Sequence, residues 1–360
     1  MSAEAKATTK RPAWMRSMGP RNAGAVYVWI VLIVVFSLVS PNLFFTTATV
    51  KEVLNQYSIT GLVALALVLP LAAGVYDLSV GAAAGLSGIM AAWSLANVTT
   101  SPVVAVLIGL ATALGIGLVN SFVVLAMGVD SFIGTLATSS IYTAIAVAVS
   151  GQEPISKNVN GAFSNDIALK NLGGVTIPVL YLVVVLLILA YALERTVFGR
   201  HTYAIGFDQE VARLGGVRVR STQAASLVAC SVIAGIAGIS ETAVLGAGSP
   251  ESGPNYLLPA FAAAFLGATQ FRHGRFNPWG AVVAVLLLGT GDVGLLTIGA
   301  PSWSPDVFEG VMLIAAVGLT SARGFGPLPR LRRRLRPGTV EAPPPPRGEP
   351  DPTSTGAGSL

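Results

Sequence analysis

The stretch AAGVYDLSVGAAAGLSG, residues 72–88, sets one carboxylate, Asp77, among small and apolar residues. Between Glu52 and Glu153 only Asp77 and Asp130 carry charge. Across all 360 residues, 53% are hydrophobic, 11% are charged and 40 are glycine. A soluble domain carries about 25% charged residues. A chain this poor in charge cannot cover its surface against water, and a soluble α/β protein with buried parallel strands would need far more polar surface. The fold class is therefore all-α, a polytopic helical membrane protein.

Outward from Asp77, apolar runs approach the length of roughly 20 residues that a spanning helix needs. They fall at 25–41, 57–76, 78–97, 102–127, 132–150, 175–193, 221–246, 256–271, 277–298 and 303–320. This predicts about ten transmembrane helices with both termini on one side. The cations test the count. Of the 22 Lys and Arg, only Lys51, Lys157 and Lys170 fall in loops on the side opposite the termini. That bias matches the positive-inside rule, with both termini cytoplasmic.

Three segments follow: a basic cytoplasmic N-terminus at 1–24, a transmembrane domain at 25–322 with an inner loop at 194–220 and an outer loop at 150–175, and a tail at 323–360. The basic start leading into an apolar run predicts an uncleaved signal anchor. The tail opens RGFGPLPRLRRRLRPG, a basic run expected at the lipid headgroups. Its Pro-rich remainder is expected to be disordered.

Several chemistries are excluded early. A single cysteine, Cys230, rules out an internal disulfide. With only His201 and His273 beside it, an ordinary His/Cys zinc site cannot be built, so no metal is expected. The net charge of +5 sorts by membrane side rather than forming a nucleic-acid surface. No G-x-x-x-x-G-K-[ST] phosphate loop is present. This chain is expected to need no cofactor and to be no enzyme; if transport uses ATP, another chain binds it.

The polar groups inside the spans carry the remaining information. A charged side chain in the bilayer core is costly and usually faces a cavity or a partner. Asp77 sits where two spans meet, followed by Ser79 and flanked by Gly74 and Gly81. Either Asp77 or Ser79 caps the next helix, or they lie near the path of a hydroxyl-rich solute; the two readings are compatible. The candidate substrate-path residues are Asp77, Ser79, Asn120 and Thr135. Asn120 could equally bond a neighbouring helix. Glu241 and Asp292 fall near outer span ends, where solvent exposure would explain them. Trp93, Trp279 and Trp303 read as interfacial anchors. The small residues of GAAAG, 81–85, suit close helix packing, with a seam between two copies as the lesser alternative.

The inner loop contains Glu210, Ala212 and Gly216 in an E-x-A-x-x-x-G spacing. It reads either as an ordinary polar loop or as a docking helix that ends at Gly215 or Gly216. The segments GVYDLSVG (74–81), GVDSFIGTLATSSIY (128–142), YAIGFDQEVARLGGVRV (203–219) and AFAAAFLGAT (260–269) occur in this order. Together they resemble the permeases of ribose/xylose/galactose-type ATP-binding-cassette importers over roughly residues 25–320.

The resemblance implies a permease pair, either a homodimer or a heterodimer with a sister permease. It also implies cytoplasmic ATPase subunits that bind ATP and Mg, an extracytoplasmic solute-binding protein, and residence in the bacterial cytoplasmic membrane among its lipids. Tyr203, Glu210, Ala212, Arg213 and Gly216 would form the coupling region. The chain departs from the family at Pro259, where many members are acidic, and in GATQFRHGRFNPWG (267–280), where many are glycine-rich. These departures bear on the solute more than on transport. Alternatives are an ion-coupled transporter using Asp77, Glu241 and Asp292, a permease for nucleosides or branched-chain amino acids, or a membrane enzyme acting on lipid-linked sugars. The last would need an acidic cluster or metal site, which the sequence does not suggest.

Overall fold

The computed structural model describes residues 24–41, 43–44, 46–271 and 274–324. The helices are α1 (Gly24–Val39), α2 (Thr47–Ala72), α3 (Val80–Asn97), α4 (Pro102–Ser121, continued by a π-turn over Phe122–Ala126) and α5 (Ser131–Ser150). A two-residue hairpin follows, β1 (Asn171–Leu172) antiparallel to β2 (Val175–Thr176). Then come α6 (Ile177–Arg195), α7 (Val197–Phe207), α8 (Gln209–Leu214), α9 (Val219–Leu245), α10 (Ser252–Asn255), α11 (Leu257–Ala268), α12 (Pro278–Thr297) and α13 (Ser304–Gly324). The expected signal anchor and the basic, Pro-rich tail fall outside the described residues, except for the residues that α1 and α13 include.

Among the described residues, seven helices are long and apolar enough to cross a membrane: α2, α3, α4 with its π-turn, α5, α6, α9 and α12. α1 is a shorter apolar helix. Hydropathy placed most of these runs within a few residues. The second is the clear exception. Its helix starts ten residues earlier, at Thr47, because the polar turn TATVKEVLNQ is also helical and Thr46 accepts a hydrogen bond from the Thr49 N–H at 3.2 Å. It also stops at Ala72, short of the apolar Val75 and Tyr76.

α2 is the axis. On one side it packs with α9, which in turn packs on α3 and α4; on the other it meets α12, which packs with α1 and α11. Leu62, Leu65 and Leu67 are fully buried, so α2 is covered around its circumference. Lipid tails supply no hydrophobic drive between helices, and association depends on close packing. The glycines of α3 provide it. A Cβ added to Gly81 would lie 2.6 Å from the Gly253 carbonyl oxygen of α10, and one on Gly88 would lie 2.6 Å from the Gly238 carbonyl oxygen of α9. The GAAAG seam is therefore filled by the chain's own helices. One side-chain bond across the bundle, Trp29 Nε1 to Thr290 Oγ1 at 2.8 Å, ties α1 to α12.

Candidate functional site

Between α2 and α3 the chain leaves the helix for residues 73–79. Gly74 takes φ +72°, a conformation glycine adopts at little cost. Irregular backbone at membrane depth persists only where its polar groups are satisfied inside the protein. Here they are. Gln223 on α9 donates to the Ala73 carbonyl at 3.2 Å. The Tyr76 N–H donates to Ser131 Oγ at 3.1 Å, and the Leu78 N–H donates to Thr135 Oγ1 at 2.9 Å, both on α5. The Ser79 N–H donates to Asp77 Oδ1 at 3.0 Å.

The side chains continue the same pattern. Tyr142 and Thr138 donate to Asn120 Oδ1 at 3.0 and 2.9 Å. Asn120 Nδ2 donates to Ser79 Oγ at 2.7 Å, and Ser79 Oγ donates to Asp77 Oδ1 at 2.6 Å. The Asn120 amide and the Ser79 hydroxyl pass their donors on toward the Asp77 carboxylate, so these bonds strengthen one another, while the Thr138 and Tyr142 hydroxyls also reach the Thr135 and Ile116 carbonyls at 3.1 and 3.4 Å. Among the described residues no nitrogen or oxygen donates to Asp77 Oδ2; the buried Cys230 thiol lies beside that carboxylate.

Asp77, Ser79, Asn120 and Thr135 are thus brought together, and all are buried, at 0%, 0%, 0% and 1% exposure. The capping expectation needs correction: the Ser79 side chain makes no bond to a first-turn N–H of α3, and Asp77 closes the turn before the helix instead. Sequence reading missed Ser131, Thr138, Tyr142 and Gln223. The first three, with Thr135, were visible as a polar face. Residues 131, 135, 138 and 142 are spaced four, three and four apart, which is one side of a helix.

The inner loop folds as two short helices. Thr196 precedes α7 and accepts from the Gly199 N–H at 3.4 Å; Asp208 precedes α8 and accepts from the Glu210 and Val211 N–H groups at 2.9 and 3.0 Å. α8 ends at Leu214, with Gly215 as its C-cap and Gly216 at φ +82°. The five candidate coupling residues divide. Glu210 and Arg213 are exposed and pair with each other at 2.6 Å. Ala212 is buried, packed with Ile205 and Val219. The Tyr203 hydroxyl donates to the Phe276 carbonyl at 2.9 Å, and the Arg275 guanidinium lies 5.8 Å from the Tyr203 ring centre, which joins α7 to the loop before α12. The most exposed large apolar side chains of this loop are Phe207, Leu214 and Val211, at 88%, 78% and 64% exposure; they fall inside the quoted segment 203–219, but the E-x-A-x-x-x-G spacing did not single them out. Beside them lies an open hollow of about 640 Å³ lined by Glu194, Arg200, Tyr203 and Arg275.

Two other acids depart from expectation. Asp292 and Glu241 are buried, at 2% and 6% exposure, so solvent does not explain them. Asp292 accepts from the Tyr57 hydroxyl at 2.6 Å and lies beside Glu309. Glu241 is set against Tyr256 and Ser252. Tyr57 lies 235 residues from Asp292 in sequence, whereas Glu241 meets Ser252 and Tyr256 across the turn that follows α9; neither contact shows in the local spacing.

A bundle of apolar helices, seven of them among the described residues long and apolar enough to cross a bilayer, is the build of a multi-pass membrane protein. The comparisons with known proteins name its family. The chain belongs to the family described as branched-chain amino acid transport system / permease component, which matches residues 49–317. It is 31% identical to the ribose import permease protein RbsC of Escherichia coli (strain K12), over 80% of this chain and 90% of that protein. It is 30% identical to the D-allose transport system permease protein AlsC of the same strain, over 82% and 90%. It is 31% identical to the L-arabinose transport system permease protein AraH, also of that strain, over 82% and 88%. The four ordered motifs pointed to this same group.

Proposed function

We propose that this chain is the membrane-spanning subunit of an ATP-driven importer that carries a monosaccharide or a related polyhydroxylated solute across the bacterial cytoplasmic membrane. The relatives named for ribose, allose and arabinose, each matching about four-fifths of the chain, favour a sugar over the amino acid in the family's description. The observation that carries the mechanism is the projecting pair α7–α8, with Phe207, Val211 and Leu214 bare at its surface. In this reading both termini and α7–α8 are cytoplasmic, in line with the arginines of residues 195–220. A separate ATPase subunit binds ATP and Mg and grips α7–α8. A solute-binding protein docks on the opposite face, at residues 150–175. A second permease copy or a sister completes the path.

The route for coupling is short. The Gly74 turn lies against Ile205 and Gly206 near the end of α7, since a Cβ on Gly74 would be 3.5 Å from Gly206 Cα. Tyr76 and Leu78 are bonded in turn to α5. Movement of α7 is passed through the junction to α5, and the nucleotide state of the ATPase biases which way the path opens. In this mechanism Asp77 holds the junction rather than meeting solute.

The test is uptake of labelled ribose, allose, arabinose and xylose into proteoliposomes holding the permease and its ATPase, with binding protein outside. Uptake of at least one sugar that requires ATP inside is the expected result. Uptake that persists without the ATPase and collapses with the proton gradient would replace this reading with the ion-coupled one.

A further inference from the structure

One exposed side of α5 changes character along its length, while Ile141 and Ile145, also exposed, stand on another side of the helix. Phe132, Ile133 and Leu136 in the first turns are bulky and exposed. Further along, Ser139, Ser140 and Thr143 line a concavity of about 830 Å³, which Gln152 and Pro254 also border. Pro254 belongs to α10, the short helix seated on the α3 glycines, so the concavity has a second wall from the same chain.

The hydrogen bonds of these hydroxyls are unusual for the bundle. A hydroxyl on a membrane helix commonly donates to the carbonyl four residues back. Thr112, Ser121, Thr135, Thr290 and Thr297 all do so, at 2.6–2.9 Å. The Ser139 and Thr143 hydroxyls and the Gln152 amide bond no other group among the described residues, and Ser140 reaches Leu136 O only at 3.4 Å. Their hydrogen-bonding capacity faces the concavity. Lipid tails could not use it, whereas water or a hydroxylated solute could.

Resting on the permease reading above, we propose that this concavity is the chain's wall of the aqueous solute path. Ser139, Ser140, Thr143 and Gln152 offer exchangeable hydrogen bonds to a polyhydroxylated solute, and the apolar turns at Phe132, Ile133 and Leu136 form the dry end. Hydroxyls that donate and accept equally well suit passage, because they bind many orientations of a sugar and hold none tightly.

The native single cysteine, Cys230, is buried, so engineered thiols can be read against a quiet background. Ser140→Cys, Thr143→Cys, Ile141→Cys and Ile145→Cys are made in the complete complex and exposed from outside to a membrane-impermeant methanethiosulfonate. Positions 140 and 143 are expected to react at least tenfold faster than 141 and 145. A bulky adduct at 143 is expected to stop uptake while ATP hydrolysis continues. Equally slow reaction at all four positions would overturn the proposal. So would slow reaction at 140 with disulfide cross-linking between copies, which would make the concavity a dry packing face. If Thr143→Cys fails to assemble, Ala144→Cys on the same wall takes its place. Labelling rates do not depend on uptake, so failure here and failure of the importer reading are separate results.

Discussion

The junction at residues 73–79 and the helix pair α7–α8 touch each other, yet they are built in opposite ways. The junction is closed: its carboxylate, hydroxyl and amide are buried, and their donors run in one direction to Asp77. The helix pair is open: its Glu210–Arg213 ion pair is exposed and its largest apolar side chains are bare. In the first region polar side chains hold irregular backbone inside a membrane. In the second, apolar side chains are left uncovered by the chain itself, as the proposed contact with a partner requires. Polarity that does not match its surroundings marks both, and the direction of the mismatch separates a structural device from a contact surface.

Substitutions can break this contrast. The largest effect is expected for Asp77→Ala, which strips the acceptor from the Ser79 N–H and hydroxyl and leaves the Asn120 chain without an end. Buried donors left without partners cost about 2–4 kcal/mol in all. Thermal unfolding in detergent, read by a thiol-reactive dye at the buried Cys230, should show a clearly lowered midpoint; an unchanged midpoint would mean that the junction does not depend on Asp77.

A smaller effect is expected for Asn120→Leu, which removes the bridge between Ser79 and α5 and leaves Thr138 and Tyr142 to find other acceptors. Here the midpoint should fall by less than for Asp77→Ala, with α7–α8 still able to bind its partner. The paired change Glu210→Ala with Arg213→Ala should alter stability by no more than about 1 kcal/mol, because exposed ion pairs contribute little. A large loss there would show that the pair does more than shield solvent-facing side chains.

The smallest effect belongs to Asp77→Asn. The amide keeps the Oδ1 acceptor and removes a buried charge whose second oxygen accepts no bond from nitrogen or oxygen among the described residues. ATP-driven uptake should remain close to that of the native chain. Complete loss of uptake in a normally assembled complex would instead give the charge itself a part in transport.

Much of the bundle was legible because hydropathy alone separates lipid-facing and buried helices from loops. The start of α2 was not, since Lys51 and Glu52 interrupt the apolar run while the backbone remains helical. The Asp77 group was half legible. Scarcity of charge singled out Asp77, and Asn120 and Thr135 were polar residues in apolar spans. That they form one chain of bonds depends on how α5 lies across α3, a tertiary fact. The proposed docking face was the least legible: its motif residues Ala212 and Gly216 shape the loop, while Phe207 and Leu214 look like ordinary core residues until the structure leaves them uncovered. Glu241 and Asp292 failed for the converse reason, because position near a span end says nothing about what packs there.

The most direct test of the account is the affinity of the isolated ATPase subunit for permease variants in nanodiscs. Phe207→Ser with Leu214→Ser should weaken binding at least tenfold, on the order of 1.4 kcal/mol, without lowering the unfolding midpoint. Asp77→Asn should leave the affinity unchanged. Native affinity in the Phe207→Ser, Leu214→Ser variant would contradict the assignment of α7–α8 as the face that the ATPase grips.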